Sequence, residues 1–595
     1  MLFDFAFTKQ NGGLYMNRQE QDILNILAGG TFSGQRELAE ESGYSLGVVN
    51  RCLRSLTETG YVRADGTLTQ NGQALLAENR PRRAVILAAG FGMRMVPINT
   101  ETPKGLLQVH GERLIDRLIR QLHQALIRDI RVVVGFLKEQ YEYLIDEFGV
   151  ELVVNPDYAR KNNLHSVDRV RSALSDCYVV PCDLYCTENP FRTHEFYSWY
   201  MVSEAPAPDS TVRVNRKQAL TPVSENGNRM IGICYLTADD GRKVSEKVHA
   251  LCRDSRMDNA FWEEALYAEG KMLPAARVVP EGQVVEINTY EQLRELDSDS
   301  DQLQNDAIGT ICRVFDASPR DITHITVLKK GMTNRSFLFT CRGKQYIMRI
   351  PGEGTDRLID RRQEAAVYGA IRDLSLCDDV YYIDPANGYK ITAFLENARV
   401  CDPEDPNDVR RCMAFLRKFH ERRLHVGHSF DIFGQIEFYE QLWKGNPSVY
   451  ADYRRTKEQI LSLRPYIEAH AGEKVLTHID AVPDNFLLTG DDIRLIDWEY
   501  AGEQDPHVDI AMFAIYALYD RTQIDALIDA YFPEGCPGET RLKIYCYVAA
   551  CGLLWSNWCE YKRQLGVEFG EYSLRQYRYA KDFYRIFRAE EGEKA

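Results

Sequence analysis

A glycine-rich segment with two positive charges follows an apolar run early in the chain. Its residues of interest are Ala89, Gly90, Gly92, Arg94 and Lys104. Glycines at the end of a parallel strand leave main-chain N–H groups open to an anion. The arginine and the lysine add the charge needed to hold a triphosphate and to stabilise a departing pyrophosphate. We therefore predict a phosphate-binding loop at this point.

A second set of chemical residues lies far along the chain, with the spacing His-x-Asp-x4-Asn and a further Asp twelve residues on. Its members are His478, Asp480, Asn485 and Asp497. This pattern resembles the catalytic and metal-binding loops of kinases that phosphorylate small alcohols. The resemblance implies that Asp480 takes or orients the hydroxyl proton and that His478 braces the loop. It also implies that Asn485 and Asp497 hold Mg2+ on the phosphates of ATP.

The elements that position these two sets must belong to separate domains. A chain of 595 residues exceeds one hydrophobic core, so we expect three or four domains. Its composition, 45% hydrophobic and 27% charged, is typical of a soluble protein. The net charge of -15 argues against a general binder of nucleic acid or anionic membranes.

The fifteen cysteines are scattered, without CxxC pairs or metal-ligand spacing. The sequence shows no secretory signal and no apolar run of about eighteen residues. We therefore expect reduced thiols in a cytoplasmic protein without a membrane segment. Residues 1–15 carry no periodic pattern, so Met16 is an alternative start of translation.

Residues 17–80 have the pattern of a compact helical domain. Apolar positions give its helices buried faces: Ile23, Leu24, Ile26, Leu27, Val48, Val49, Cys52, Leu53 and Leu56. Residues 43–45 form the turn before the last of these helices, and Ser45 can cap it. A hairpin turn at Asp65–Gly66 predicts a wing.

This segment resembles the winged-helix domains of bacterial regulators, which implies that Asn50, Arg51 and Arg54 lie on the exposed side of the recognition helix. Residues 17–80 contain six Arg, no Lys and eight acidic residues, a net charge of -2. DNA-binding modules are usually basic. Two interpretations stay open: DNA binding, or a domain used for dimerisation or for contact with the enzyme that follows.

Strands alternate with helices between residues 82 and 296. Three apolar segments, Ile130–Val134, Val150–Val154 and Cys177–Val180, are typical of buried strands. The alternation predicts a mostly parallel sheet with helices on both faces and ligands at the carboxyl ends of its strands. Asp183 follows one such strand, and a carboxylate there can hold Mg2+ between the α-phosphate and the attacking phosphate.

The motif Leu-Ala-Ala-Gly-x-Gly-x-Arg-Met, followed by Pro-Lys, resembles nucleotidyltransferases that join an NTP to a sugar phosphate or to phosphocholine. The bacterial phosphocholine cytidylyltransferases, often found beside or fused to a choline kinase, share most of it. The resemblance implies that Arg94 and Lys104 act at the phosphates of CTP and that Asp183 is a metal ligand. Relatives carry a second metal-binding Asp near the end of the domain, where this chain has Asn288, which offers an oxygen without the charge.

A choline head group demands a particular site, because a quaternary ammonium has no N–H to donate. Aromatic faces and a carboxylate must hold it, with about 0.5–2 kcal/mol for each contact. The segment Phe261–Glu264 resembles the aromatic and acidic patch of the family, so we expect Trp262 and Glu263 to bind the head group, with Tyr235 nearby. Residues 209–214 lack the aromatic side chains expected on a neighbouring strand.

The acidic stretch Asp297–Gln302 predicts a domain boundary. Beyond it, residues 327–336 lie between two strand-like runs and can cover the phosphates of ATP, with Asn334 as a nucleotide contact. Arg349 stands where protein kinases have lysine, as in choline and ethanolamine kinases, and Glu364 on a following helix is its expected ion-pair partner.

The aromatic residues near the end of the chain predict the acceptor pocket. Trp555 and Trp558 are three residues apart on one helix face, and Tyr572 follows. The resemblance to choline kinases assigns them, together with Trp498, to a wall around a trimethylammonium group. Tryptophans at this spacing are also typical of a plain core. Aminoglycoside kinases share the catalytic residues but prefer acidic pockets, which this tail does not show.

These patterns predict a multidomain α/β and α+β protein. A winged helix (17–80) precedes a Rossmann-like nucleotidyltransferase (82–296) and a protein-kinase-like domain of the choline kinase type (303–595). The implied enzyme phosphorylates choline with ATP and transfers CMP from CTP to phosphocholine, with Mg2+ as cofactor and CDP-choline and pyrophosphate as products. The alternatives are the same chemistry on ethanolamine or a related amino-alcohol, and a transcriptional regulator that responds to choline or nucleotide.

Overall fold

The computed structural model describes residues 16–592, apart from 31, 33, 93–94, 99–101, 329–333, 353–354, 356–357, 566 and 568. The chain divides into two compact units between Asn305 and Asp306. Within the described ranges, none of the helices combines the length and the apolar character that a membrane crossing requires.

The first unit begins with a winged helix. Its helices are α1 (Arg18–Gly29), α2 (Gln35–Ser42), α3 (Leu46–Glu58) and α4 (Gln70–Glu78). Their apolar faces meet in one core, which contains Ile23, Leu24, Leu38, Val49, Cys52, Leu56, Val62 and Leu76. The wing is a single bridge between Val62 and Leu68, with Gly66 at its tip in the left-handed region at φ 84°. Ser45 precedes α3 as predicted, but its side chain makes no capping hydrogen bond.

Helix α1 fixes the winged helix to the domain that follows it. The Asp22 carboxylate accepts hydrogen bonds from the Tyr44 hydroxyl at 2.5 Å and from the Tyr197 hydroxyl at 2.7 Å. The Arg18 guanidinium covers the Tyr197 ring at 4.5 Å and donates to the main-chain oxygen of Ala276 at 3.0 Å. Because Tyr44 lies in the turn before α3, one carboxylate joins the recognition helix to the neighbouring domain.

That domain alternates strands and helices. Its main elements are β1 (Arg83–Ala88), α5 (Leu114–Gln124), β2 (Asp129–Val134), α6 (Tyr143–Phe148), β3 (Glu151–Val154), α7 (Asn163–Arg169), β4 (Cys177–Pro181), β5 (Leu184–Cys186), β6 (Trp199–Ala207), β7 (Gly227–Leu236), α8 (Ala238–Leu251), β8 (Ala275–Val279), β9 (Val284–Glu286) and α9 (Tyr290–Leu296). Shorter strands lie at Gln108–Val109, Glu112–Arg113, Val212–Val214, Leu220–Pro222, Tyr267–Ala268 and Lys271–Met272.

The seven-stranded sheet of this domain has the order β8-β6-β7-β4-β1-β2-β3. Strands β1 to β4 run parallel to one another, whereas β7 runs antiparallel to its neighbours β4 and β6. Alternation along β4 turns Tyr178 and Val180 toward the α5 face and Val179 toward the α7 and α8 face. The predicted parallel sheet with helices on both faces is therefore present in the half that carries the glycine loop.

The second unit has a small sheet followed by a helical part. Its elements are α10 (Asp306–Phe315), β10 (Ile322–Val327), β11 (Asn334–Cys341), β12 (Lys344–Pro351), α11 (Arg361–Ile371), β13 (Val380–Ile383), β14 (Lys390–Ala393), α12 (Pro406–His420), α13 (Ile432–Gln441), α14 (Tyr453–Leu461), α15 (Arg464–His470), β15 (Val475–Thr477), β16 (Phe486–Thr489), β17 (Asp492–Leu495), β18 (Gly502–Gln504), α16 (Val508–Tyr516), α17 (Arg521–Tyr531), α18 (Gly538–Gln564) and α19 (Glu571–Gly592).

The sheet of this unit is antiparallel, in the order β10-β11-β12-β14-β13. Strand β16 pairs with β17 and with the short strand Arg399–Val400, and β15 pairs with β18. Helix α18 is buried along most of its length, where it contributes to the largest core of the molecule. The loops after β15 and β17 carry the second set of predicted catalytic residues.

Candidate active sites

The glycine loop and Asp183 meet at one edge of the seven-stranded sheet. Because β1 and β4 are parallel, with Leu87 opposite Pro181, the segments that follow both strands leave the sheet side by side. The Cys182 N–H donates to the main-chain oxygen of Leu87 at 3.2 Å. This contact brings Asp183 next to the loop that begins at Ala89.

Lys104 crosses the loop to reach the two predicted metal ligands. Gly92 has φ 67°, and a Cβ there would lie 2.8 Å from Cγ of Lys104, so only glycine fits. The Lys104 ammonium donates to Asp183 Oδ2 at 3.0 Å and to Asn288 Oδ1 at 2.7 Å. The structure thus brings three of the predicted residues together.

Main-chain contacts hold Asn288 in this position. Strand β9 pairs with β5, and the Ile287 N–H donates to the main-chain oxygen of Asp183 at 2.9 Å. The Asn288 N–H donates to Oε1 of Gln292 at 2.7 Å, and Gln292 belongs to the capping box that begins α9. The side chain of Asn288 is therefore directed at Lys104 by the backbone on both sides.

The remaining loop residues leave room for a ligand. The Ala89 main-chain oxygen accepts the Phe136 N–H at 3.1 Å, which anchors the beginning of the loop. Gly90 is exposed, and no heavy atom lies within 4 Å of the position that its Cβ would take. Arg94, predicted to act at the phosphates, lies outside the described residues.

The two oxygens of the Glu263 carboxylate differ in their contacts. The Tyr200 hydroxyl donates to Oε1 at 3.0 Å, whereas Oε2 accepts no hydrogen bond of good geometry from the described residues. Burial raises the pKa of Glu263 to about 7, although hydrogen bonds from Tyr200 and Trp262 oppose the shift. Such a group is suited to an ammonium ligand. Tyr200 was not predicted, because a tyrosine on a buried strand reads as core.

Two aromatic residues predicted for the head group belong to the core instead. The Trp262 ring is 1% exposed and packs between α7 and α8, while Oδ1 of Asn163 accepts its main-chain N–H at 2.8 Å. Tyr235 is equally buried and lies opposite Tyr178. Tyr178 precedes Asp183 by five residues, about 17 Å along a strand. Neither ring offers an accessible face at the edge where Lys104 lies.

The catalytic loop of the second unit collects carboxylates. The Asn485 amide donates to the main-chain oxygen of Asp480 at 2.9 Å and approaches its Oδ2 at 3.4 Å. Burial, with the charges of Asp497 and Glu499, raises the pKa of Asp480 to about 8. Asp497 itself has φ 67°, a backbone conformation that non-glycine residues rarely adopt outside functional loops.

Asp509 at the start of α16 holds this loop in place. Its carboxylate accepts the main-chain N–H groups of His478 at 3.0 Å and Ile479 at 2.8 Å, and it lies 3.0 Å from Nε2 of His420. Nε2 of His478 donates to the main-chain oxygen of Ile496 at 3.0 Å. Burial lowers the pKa of His478 to about 4, so the ring is neutral. His478 therefore has the geometry of the predicted brace.

A buried charge cluster lies beside the loop. Arg349 forms the expected two-pronged ion pair with Glu364, 2.9 Å from Nη2 to Oε2. Arg361 contacts Oε2 of Glu364 at 2.9 Å and Oε2 of Glu499 at 3.3 Å. Burial would raise the pKa of Glu364, but the Arg349 charge outweighs it and lowers the pKa to about 2. The Asn334 amide donates to Glu499 Oε2 at 2.9 Å, so its side chain faces the same cluster as Arg349, and the nucleotide contact predicted for it stays a prediction.

Five aromatic rings in series form a wall near Asp480. They are Tyr500, Trp555, Trp558, Phe569 and Tyr572, with successive centroids 5.8, 5.5, 5.2 and 6.4 Å apart. Burial raises the pKa of Tyr572, and the nearby Asp480 charge adds to the shift. The predicted Trp555, Trp558 and Tyr572 are thus together. Tyr500 and Phe569 were missed, since neither belongs to the helix that showed the pattern.

Trp498, the fourth aromatic residue predicted for this wall, lies elsewhere. Its ring is fully buried, 4.5 Å from His478 and 5.1 Å from Phe419 between centroids. Its indole N–H donates to the main-chain oxygen of Leu495 at 2.7 Å. Trp498 supports the catalytic loop from the core side and does not line the pocket.

Both sites offer the oxygen donors that Mg2+ prefers. Asp183 and Asn288 present theirs around Lys104. In the second unit the amide nitrogen of Asn485 donates to the main-chain oxygen of Asp480. Asp497 follows β17, in which Leu495 pairs with Phe486, the residue after Asn485. Burial together with the neighbouring charges of Asp497 and Glu499 raises the pKa of Asp480, and a divalent cation would be stabilising in such a cluster of buried acids.

Three family models match successive parts of the chain. They are the winged helix-turn-helix DNA-binding model (residues 16–63), the MobA-like NTP transferase domain (84–199) and the phosphotransferase enzyme family (324–545). The predicted fold class and the order of its domains are confirmed.

Two relatives and one solved structure cover the two catalytic parts. The choline-phosphate cytidylyltransferase of Streptococcus pneumoniae is 31% identical over 221 residues, 36% of this chain and 96% of that protein. Protein LicA of Haemophilus influenzae is 28% identical over 259 residues, 41% of this chain and 96% of that protein. The crystal structure of choline kinase LicA from Streptococcus pneumoniae, at 26% identity and a TM-score of 0.42, covers 47% of this chain and 99% of its own. This chain is therefore a transferase of the choline-phosphate cytidylyltransferase family that also carries a phosphotransferase domain and a winged helix.

Proposed function

We propose that this chain makes CDP-choline in two steps. The second unit phosphorylates choline with ATP, and the first unit transfers CMP from CTP to the phosphocholine formed. The observation that carries the proposal is the meeting of Lys104, Asp183 and Asn288 at the glycine loop of a domain whose relative is a choline-phosphate cytidylyltransferase. A kinase in the same chain would supply the substrate of that step.

In the first step Asp480 accepts or orients the proton of the choline hydroxyl as it attacks the γ-phosphate of ATP. Asn485 orients Asp480, and Arg349, set by Glu364, lies on the nucleotide side. The aromatic wall receives the trimethylammonium group through ring faces, which need no N–H from the ligand. Asn485 and Asp497 would hold Mg2+ in this site, and Asp183 and Asn288 would hold it in the other, where the ion would neutralise charge on the phosphates.

In the second step a phosphate oxygen of phosphocholine attacks the α-phosphorus of CTP, and pyrophosphate leaves from the opposite side. Lys104 offsets the charge that develops on the phosphates, and Arg94 is proposed to help it. Gly90 and Gly92 let the main chain approach the nucleotide. Glu263, with Tyr200 behind it, attracts the ammonium of the head group.

One observation favours ethanolamine or a related amino-alcohol as a second candidate substrate. The buried Oε2 of Glu263 accepts no hydrogen bond of good geometry from the described residues. A primary ammonium would donate to it, whereas choline has no N–H to give. The aromatic residues proposed for a quaternary head group, Tyr235 and Trp262, are core residues here.

A coupled assay on the full chain tests both proposals. The protein is incubated with ATP, CTP, Mg2+ and either choline or ethanolamine, and the CDP-alcohol is detected by mass spectrometry. From choline, we expect CDP-choline only when both ATP and CTP are present. From phosphocholine, we expect CDP-choline with CTP alone. If ethanolamine gives a CDP-alcohol and choline does not, ethanolamine replaces choline as the proposed substrate. If neither alcohol gives a product, the proposed function is overturned.

Two single substitutions separate the steps. Asp480→Asn should abolish ADP formation with choline and leave the conversion of phosphocholine intact, and Asp183→Asn should do the reverse. Asp529→Asn and Asp239→Asn are matched controls, because both carboxylates are largely exposed and distant in sequence from either loop. Loss of both steps through one substitution would contradict the division of labour.

For the winged helix we propose contact with the transferase domain as its main role, supported by the hydrogen bonds of Asp22. On α3, Asn50 and Arg54 are exposed. A gel shift with duplex DNA at about 100 mM salt tests the other interpretation, because non-specific binding disappears as salt rises. The use of ATP and CTP fits the proposed cytoplasmic location.

A further inference from the structure

The Lys104 ammonium contacts both side chains that are expected to bind a metal ion in the cytidylyltransferase site. The ammonium is 3.0 Å from Asp183 Oδ2 and 2.7 Å from Asn288 Oδ1. The Lys104 and Asp183 side chains are only 11% and 14% exposed, so water screens this contact weakly. A divalent cation bound to these two oxygens would lie a few ångströms from the ammonium, and the repulsion between the two positive charges opposes their joint occupancy of the site.

The charges of this group cancel. One ammonium faces one carboxylate, because Asn288 contributes a neutral oxygen where relatives are expected to have a second aspartate. With an aspartate at this position the group would keep one negative charge, which a divalent cation would neutralise. With Asn288 a metal ion must displace Lys104 without that gain, and affinity for divalent cations depends strongly on ligand charge.

The position of Asn288 does not adapt easily. Its N–H is bound to Gln292, and the neighbouring Ile287 is bound to the main chain of Asp183. Lys104 is different, because only its flexible side chain must move. Its stem passes over Gly92, so a triphosphate bound at the glycine loop would lie within reach of the ammonium.

We infer that Asn288 makes this site a receptor for the preformed metal–CTP complex and prevents it from holding the metal ion alone. The triphosphate draws the ammonium of Lys104 away from Asp183 and brings the cation with it. The residue at position 288 thereby sets the order in which metal and nucleotide bind. This inference rests on the proposed cytidylyltransferase function.

Mn2+ binding measured by electron paramagnetic resonance on the full chain tests the inference. Asp183→Asn is the reference, since it removes the site while leaving metal binding in the kinase unit unchanged. Without nucleotide, the wild-type chain and the reference should bind equal amounts of Mn2+. With CTP, the wild-type chain should bind one more ion than the reference.

Two variants should let the metal ion bind without nucleotide. Asn288→Asp restores a second negative charge, and Lys104→Ala removes the competing cation. Each variant should raise the affinity of this site for Mn2+ in the absence of nucleotide by about tenfold or more. Changes of ligand charge and of neighbouring groups alter metal affinity on this scale. The second variant keeps the test open if the first does not fold.

Two results would overturn the inference. One is a wild-type chain that binds more Mn2+ than the Asp183→Asn reference without CTP, and the other is a pair of folded variants that gain no ion. CDP-choline formation by the same protein is measured in parallel. Absence of that product would count against the proposed function, whereas the nucleotide-free metal counts would still decide the binding order.

Discussion

The two phosphate sites of this chain treat charge in opposite ways. At the glycine loop one ammonium, from Lys104, is matched to one carboxylate, from Asp183. At the kinase loop three carboxylates, Asp480, Asp497 and Glu499, lie close together, and burial with the neighbouring negative charges raises the pKa of Asp480 and of Glu499. The first site is balanced before any ligand arrives, and the second has an excess of negative charge that a cation relieves. The two phosphate-transfer sites thus differ in net charge before their ligands bind.

The largest effect should come from removing the Glu364 carboxylate that pairs with Arg349 and Arg361 beside the acidic site. Glu364→Gln would leave Arg349 and Arg361 buried with Glu499 as their remaining acidic partner. Breaking a buried pair in this way costs about 3–5 kcal/mol, so the urea midpoint of the kinase unit should fall while phosphocholine conversion survives. Glu458→Gln, which breaks an exposed pair with Arg454, is the control and should cost less than about 1 kcal/mol. Equal losses would show that the cluster is not special.

Activity with CTP at the glycine loop should be sensitive to substitution of Gly92. Gly92→Ala places a Cβ against Lys104 at a φ of 67°, so the ammonium must leave Asp183. We expect kcat/KM for CTP to fall about 10- to 100-fold through strain and misplacement. Choline phosphorylation by the same protein is the internal control. A fall in both activities would mean that the substitution unfolds the chain.

A smaller effect concerns the pH dependence of the head-group carboxylate. Because burial raises the pKa of Glu263 to about 7, its charged form is scarce at low pH. KM for phosphocholine should therefore be about tenfold lower near pH 8 than near pH 6. Glu263→Gln should remove this dependence. An unchanged profile in the variant would exclude Glu263 as the ligand.

The same carboxylate predicts how stability varies with pH. The folded state keeps the proton of Glu263 up to a pKa of about 7, whereas the unfolded chain releases it near pH 4.5. The contribution of this group is therefore fully present below about pH 4.5 and is lost as the pH rises toward 7. Thermal unfolding of wild type and Glu263→Gln across that window measures the difference.

The smallest effect is expected at the aromatic wall. Trp558→Leu removes one ring face, so KM for choline should rise about 3- to 30-fold, the range of one cation–π contact. KM for ATP in the same variant is the control and should not change. A shift of both constants would assign Trp558 to the core.

The sequence predicted the polar centres better than their surroundings. Lys104, Asp183 and the Arg349–Glu364 pair were found because each follows a strand or stands at a fixed distance from a motif. The partners Arg361 and Glu499 were missed, although Glu499 follows Asp497 by only two residues. Spacing along the chain does not reveal that a helix and a loop far apart in sequence bring their charges together.

Aromatic residues were the weak part of the prediction. Trp262 and Trp498 stand next to Glu263 and Asp497 in the sequence, yet both are core residues, as is Tyr235. Neighbouring positions on a strand point to opposite faces, so proximity in sequence to a polar residue does not place a ring in a pocket. The helical spacing of Trp555 and Trp558 was more informative, because it fixes a common face.

The carboxylate of Asp22 gives the first unit a property that neither of its domains has alone. Two hydroxyls from opposite sides converge on it, Tyr44 from the turn before α3 and Tyr197 from the approach to β6. The recognition helix and the nucleotide-binding sheet must consequently tumble as one particle, with a single rotational correlation time for their amide groups. Any macromolecule that grips α3 would carry the whole catalytic domain with it at a fixed orientation.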